Sequence, residues 1–274
     1  MNMNSTENPQ GITLILNAAE GLLQIIAMRQ GVRLFAQEWQ APTRGTEILA
    51  PALAEAFGHL RLSMSDIVRI ASVNGPGNFT GLRLALATAA GMARHCGAQQ
   101  AGLDYMHALA DRPFLGAGDV VWVLTHARRN LVHAQAFVID ENGALPRAFC
   151  PVDAISLEQT AERILLHAGE GNSVAPTVPV VLGSGLTRNM DFFANYFAEA
   201  QSDVMLLSSE HDTPSLNALM RLAEAASWHD GDIAAFYVRP CDAEENLPHI
   251  AAKQGRDIQE AREQLHILTH KGLA

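Results

Sequence analysis

Asn74-Gly75-Pro76-Gly77-Asn78-Phe79-Thr80-Gly81-Leu82-Arg83 is the stretch on which the reading of this 274-residue chain turns. A buried strand, Asp66 to Val73, runs into it, and a strong helix, Thr80 to Cys96, runs out of it. Glycines in such a turn permit positive φ and close backbone approach, and the start of the helix offers N–H groups to an anion. Neither common phosphate loop matches. A Walker loop needs Lys after its last glycine, and Leu82 stands there. The dinucleotide fingerprint needs GxGxxG, and the spacing here is GxGxxxG. Spacing alone leaves two equal alternatives: a packed strand-to-helix turn, or an anion site contacted by Gly75, Gly77, Thr80 and Gly81.

Working outward, three β-rich runs precede this segment: Ile12 to Leu16, Leu22 to Met28 and Val32 to Trp39. Turns at Glu20-Gly21 and Gln30-Gly31 separate them, as in a meander. A helix is expected from Thr46 to Leu60, a strand from Gln99 to Leu103 and a short helix near His107. The order then restarts. Strands are expected at Val120 to Thr125, Val132 to Ile139, Leu145 to Pro151, Val178 to Leu182 and Val204 to Leu207. Helices are expected at Ser156 to Ala168, Thr187 to Ala200 and Ser215 to Trp228, the first opened by a Ser156/Gln159 capping box. The repeated β-β-β-α-β-α-β-α order predicts an α/β fold of two similar lobes, each a mixed sheet with flanking helices. The expected division is 11–110 for the first lobe, 111–240 for the second and 241–274 for a tail with a helix from Asp257 to Leu268.

Composition narrows the function classes. Hydrophobic residues make up 48% and charged residues 18%, which fits a globular chain. A formal net charge of -10 repels phosphate backbones, so any nucleic acid is expected to be gripped by another subunit. Cys96, Cys150 and Cys241 are scattered, with no CxxC pair, which fits a reducing compartment. Neither a signal peptide nor a membrane span is apparent, and the expected location is the cytoplasm.

The helix after the loop, Leu82 to Ala93, is apolar nearly all round, so it is either fully buried or shows one face to a partner. Ala85, Ala89 and Ala93 form a row of small residues on it. At this point the sequence resembles a known family. Gly75 to Arg83 is similar to the GPGSFTGLR signature of TsaB proteins, with Asn78 in place of Ser. Thr46 to Pro51 resembles the family's HSExLLP segment without its His and Ser, and Phe236 to Pro240 resembles its YxR motif.

The resemblance implies the actin, heat-shock-chaperone and sugar-kinase superfold, an RNase H-like duplication. It implies a non-catalytic partner that pairs with a TsaD-like subunit and works with a TsaE-like ATPase. The machine transfers a threonylcarbamoyl group to the adenosine beside the tRNA anticodon, with tRNA reached through the complex. Pairing through first-lobe helices points to Leu49, Leu53, Phe57, Leu82, Leu86, Ala89, Ala90 and Met92, and homodimerisation through the same helices is compatible. The superfold holds Mg-nucleotide with an Asp after the first strand of each lobe. Here those positions read Asn17 and His126, so no nucleotide, Mg²⁺ or metal of the chain's own is expected; these belong to partner subunits. Arg128, Gly183 and Gly185 complete the residues that would meet a phosphate or nucleotide. The alternatives are a stand-alone ATPase or kinase of the same superfold, and a metallopeptidase, for which His266 and His270 form the only HxxxH pair.

Overall fold

The computed structural model describes residues 11–40, 44–112, 114–169, 178–238, 247–253, 257 and 259. His266, His270, Cys241, Arg239, Pro240 and nearly all of the expected tail helix lie outside them. Residues up to Phe236 form one compact unit, and Tyr237–Ala274 form a second.

The first sheet contains β1 (Ile12–Asn17), β2 (Leu22–Arg29), β3 (Val32–Gln40), β4 (Ile67–Gly75) and β5 (Gln99–Asp104), in the order β3-β2-β1-β4-β5. β1 pairs antiparallel with β2 (Leu16 opposite Ile25) and parallel with β4 (Leu14 opposite Ile70). The continuous apolar runs of β1 and β2 follow from this central place, since both of their faces are covered. The edge strand β3 is half-exposed along its length. Helices α1 (Gly45–Leu60) and α2 (Phe79–Cys96) cover one face, burying Leu49, Leu53, Ala85, Ala89 and Ala93 against Leu14, Leu16, Leu23 and Ile70.

The second sheet repeats the plan. β6 (Val120–Arg128), β7 (Leu131–Val138), β10 (Val180–Leu182) and β11 (Met205–Leu206) run in the order β11-β10-β6-β7, with β8 (Arg147–Ala148) and β9 (Asp153–Ser156) both on β7. Its antiparallel pair, β6 with β7, and parallel pair, β6 with β10, correspond to those of β1. Helices α4 (Leu157–Gly169), α5 (Ser184–Thr187) and α6 (Met190–Glu199) cover its outer face through Ala161, Leu186, Phe193 and Phe197. Between the sheets lie α3 (Tyr105–Ala110) and α7 (Leu216–Ala225), packed on residues of both, such as Ile15 and Val73 from the first and Val121 and Leu182 from the second. In the second unit, α8 (Leu247–Lys253) is described.

The two-lobed mixed α/β reading holds. The capping box at α4 is present: Gln159 N donates to Ser156 Oγ at 3.2 Å and Ser156 N to Gln159 Oε1 at 3.4 Å. The run Leu145 to Pro151 forms only the two-residue β8, and the ladder on β7 is carried mainly by β9, just before α4. The expected Thr187-to-Ala200 helix is divided into α5 and α6, with Asn189 leading into α6.

Gly81 and Gly91 share one helix in opposite environments. A Cβ at Gly81 would meet Ala18 O at 1.9 Å, whereas one at Gly91 has nothing within 4 Å. Gly81→Ala is expected to cost about 2–3 kcal/mol through forced backbone shifts. Gly91→Ala is expected to stabilise by about 0.5–1 kcal/mol through helix propensity. Chemical denaturation of both variants checks the pair.

Candidate functional site at the signature loop and the lobe interface

The signature loop is wedged between two backbones. On one side is the β1–β2 turn: a Cβ on Gly77 would meet Ala19 Cβ at 2.9 Å, and Gly81 lies on the Ala18 carbonyl. On the other is an extended strap, residues 229–236, laid along the β5 side of the first sheet. His229 exchanges backbone hydrogen bonds with Gln100 at 2.7 and 3.0 Å, and Asn74 Nδ2 donates to Ala234 O at 3.2 Å. Phe236 N donates to Asn74 O at 2.7 Å, and Arg94 of α2 pairs with Asp232. Gly75 has φ +137, and a Cβ there would meet Phe236 O at 2.2 Å. The loop and the strap, with Asn74 and Ala234 160 residues apart in sequence, therefore form one structural unit. Asn78, where the signature has Ser, caps α2: its Oδ1 accepts from Thr80 N at 3.0 Å.

Gly75, Gly77 and Gly81 are thus explained by packing, while Thr80 is exposed at the loop's outer side. Gly183 and Gly185 have the same explanation. Their Cβ atoms would meet Leu124 O at 2.3 Å and Val132 Cγ1 at 2.9 Å, so both let the start of α5 lie directly on β6. Arg128 is exposed at the end of β6.

The pairing residues read from sequence separate into two groups, and this is a correction. Leu49, Leu53, Leu82 and Ala89 are 2%, 7%, 0% and 0% exposed, and all of them belong to the core. An apolar helix on a sheet must bury one stripe there, and these residues are that stripe. Phe57, Leu86, Ala90 and Met92 are half-buried. Beside them Ala87 and Gly91 are exposed, and Arg83 stacks on the Phe79 ring at 3.8 Å. Available to a partner is therefore the face of Leu86, Ala87, Ala90 and Gly91, one row over from the alanine row Ala85–Ala89–Ala93.

At the lobe interface, Asn17 is fully buried, and both ends of its amide are used. Nδ2 donates to Gln24 Oε1 at 2.7 Å, and Oδ1 accepts from Ala19 N at 2.9 Å. Gln24 is itself committed, donating to Glu38 and to Pro214 O. An Asp at position 17 would set acceptor against acceptor in a dry site. A Mg-nucleotide does not fit these residues, because the first-lobe group faces inward and is satisfied by the protein. His126, two residues before the end of β6, has its imidazole held below the usual range by burial and by the Arg188 guanidinium.

The carboxyl that does enter the interface is Glu20, which the sequence reading passed over as part of a turn. Its Oε1 accepts from Ser184 Oγ at 2.8 Å and from His126 N at 3.3 Å. Burial raises Glu20 to about 7, against the lowering effect of those two bonds. Asp212, whose Oδ1 accepts from Thr187 Oγ1 at 2.8 Å, is also raised by burial. The sequence signal, an acidic residue in a turn after a buried strand, is common, and no spacing relates positions 20, 126, 184 and 212. Among the described residues no three His, Cys, Asp or Glu are grouped as a metal would need, and no helix is long and apolar enough to cross a membrane.

Asn17→Asp is expected to lower stability by roughly 2–3 kcal/mol, since it leaves buried acceptors unmatched. It is also expected to bring no Mg-nucleotide affinity. Denaturant titration and calorimetric titration with Mg-ATP check the two parts.

No curated protein matches the chain. Solved structures do, and two of them are from Pseudomonas aeruginosa. One is an uncharacterised protein with similarity to peptidase YeaZ from Pseudomonas aeruginosa: 18% identical, covering 84% of this chain and 100% of that one, TM-score 0.65. The other is YeaZ from Pseudomonas aeruginosa: 18% identical, covering 83% and 100%, TM-score 0.62. At that identity they show a shared fold. Residues 40–226, well over half of the chain, match the model described as TsaD, tRNA N6-adenosine threonylcarbamoyltransferase. With this match and the Gly75–Arg83 signature in its structural place, the chain belongs to the TsaD family and is a TsaB-like member of it.

Proposed function

We propose that this chain is a non-catalytic subunit that pairs with a TsaD-like enzyme and supports threonylcarbamoylation of adenosine next to the tRNA anticodon. The observation that carries the reading is the TsaD-family match over residues 40–226 together with the partly open α2 face of Leu86, Ala87, Ala90 and Gly91. Small side chains there let a second helix approach closely, and the apolar surface gains from being covered. The loop and strap fix that face. α2 is capped by Asn78, seated on Ala18 through Gly81, and tied to the strap through Arg94 and Asp232. In this reading ATP, Mg²⁺ and any metal act on partner subunits, a TsaE-like ATPase among them. The net charge of -10 suits a subunit that leaves tRNA contact to its partner. A copy of the chain is the natural occupant of the same face when the enzyme is missing.

Co-expression with the cognate TsaD-like protein, followed by a tRNA modification assay with and without this chain, tests the proposal. A stable complex whose modification activity depends on this chain is expected. Leu86→Glu and Ala87→Arg lie on the outer side of α2, so Ala87→Arg should leave stability within about 0.5 kcal/mol while abolishing co-purification. Pairing retained in both variants would overturn this face as the interface. Magnesium-dependent ATP turnover by the isolated chain would favour an enzyme instead.

A further inference from the structure

The interlobe carboxyl of Glu20 has no part in pairing through α2, and its setting is unusual in three ways. First, Glu20 is in the left-handed region at φ 52, ψ 28, followed by Gly21 at φ 81. A side chain there is disfavoured and persists only where its surroundings hold it. Second, its Oε1 joins the lobes directly, accepting from Ser184 of α5 and from the His126 amide near the end of β6. Third, its Oε2 is buried with no hydrogen-bond partner, and so is Nδ1 of the neighbouring His126.

We propose that Glu20 is a proton-operated latch between the lobes: its neutral carboxyl holds the β1–β2 turn against β6 and α5, and the ionised carboxylate favours release of that turn. An ionised carboxylate in the closed arrangement keeps one oxygen, Oε2, buried without a hydrogen-bond partner. The groups facing it do not reverse this. Asp212, on the segment before α7, adds like charge, while Arg188 at the end of α5 opposes it. Burial and Arg188 both work against a positive charge on His126. Tyr105 of α3 faces Glu20 as a neutral phenol, raised well above its usual range by burial and then by the neighbouring Glu20 and Asp212. Arg112 is engaged by the carbonyls of Leu109, His211 and Thr213.

Burial therefore dominates. The closed carboxyl titrates near 7, and a released one is expected near the ordinary value of 4.5. Closure takes up a proton between those values. The advantage of the closed form is full below about pH 4.5, falls as pH rises to about 7, and is constant above that.

Hydrogen exchange at the His126 amide, shared in the closed form between Glu20 Oε1 at 3.3 Å and Ser184 Oγ at 3.1 Å, with Ser184 Oγ itself held by Glu20, reads the latch. Its protection, corrected for intrinsic exchange, is expected to fall on the order of a hundredfold from about pH 5 to about pH 7.5 and then level off. Glu20→Gln, an uncharged analogue of the protonated side chain, is expected to hold high protection with no slope. Glu20→Ala is expected to give low protection at every pH, with the fold confirmed by circular dichroism. Flat wild-type protection, or the same slope in Glu20→Gln, would overturn the proposal. If Glu20→Gln does not fold, a slope in the wild type that survives in Glu20→Ala overturns it equally.

Discussion

The first lobe depends on one constraint, the close approach of backbones around the signature loop. Gly81 lies on the Ala18 carbonyl and Gly75 on the Phe236 carbonyl, at distances that leave no room for a Cβ. The β1–β2 turn, the loop, the start of α2 and the strap are consequently a single block. A buried helix needs such a seat, because its apolar stripe fits the sheet only at one height and rotation. With the seat fixed, Ala85, Ala89 and Ala93 enter the core and Ala87 and Gly91 face outward.

That arrangement explains why a helix apolar nearly all round could be read in two ways and needs both. Its inner row is the first lobe's core, and its outer row is a surface of small side chains. Burial of Leu49, Leu53, Leu82 and Ala89 does not weaken the pairing proposal; it moves the surface by one row. A charged substitution at Ala89 would test folding rather than association.

At the lobe interface the buried polar groups are matched unequally. Asn17 belongs to a hydrogen-bonded chain running through Gln24 to Glu38 and Pro214 O. The carboxylate that does enter the interface is Glu20, and protein groups of the other lobe satisfy one of its oxygens. Buried polar networks of this kind are strong when fully matched and costly at each orphan. Here Asn17 and Gln24 are the matched part and Glu20 Oε2 the orphan.

The sequence by itself determined the element order, the duplication and the family. These follow from local signals: apolar runs too long to be exposed, glycines at tight turns, caps such as Ser156 and Asn78, and a signature nine residues long. β9 was missed because Asp153 to Ser156 is short and polar-flanked, and is a strand only because β7 lies beside it. The strap was missed because a short extended segment whose apolar residues are bunched at Ile233 to Phe236 carries no periodicity; its pairing with Gln100 and Asn74 exists only in the fold. Which face of α2 is core, that the loop glycines answer to Ala18 and Phe236, and that Glu20 meets Ser184 and His126 were decided by tertiary structure alone. Local pattern fixes what a residue does to its neighbours in the chain. Contacts across 100 or more positions depend on how the two sheets close over α3 and α7.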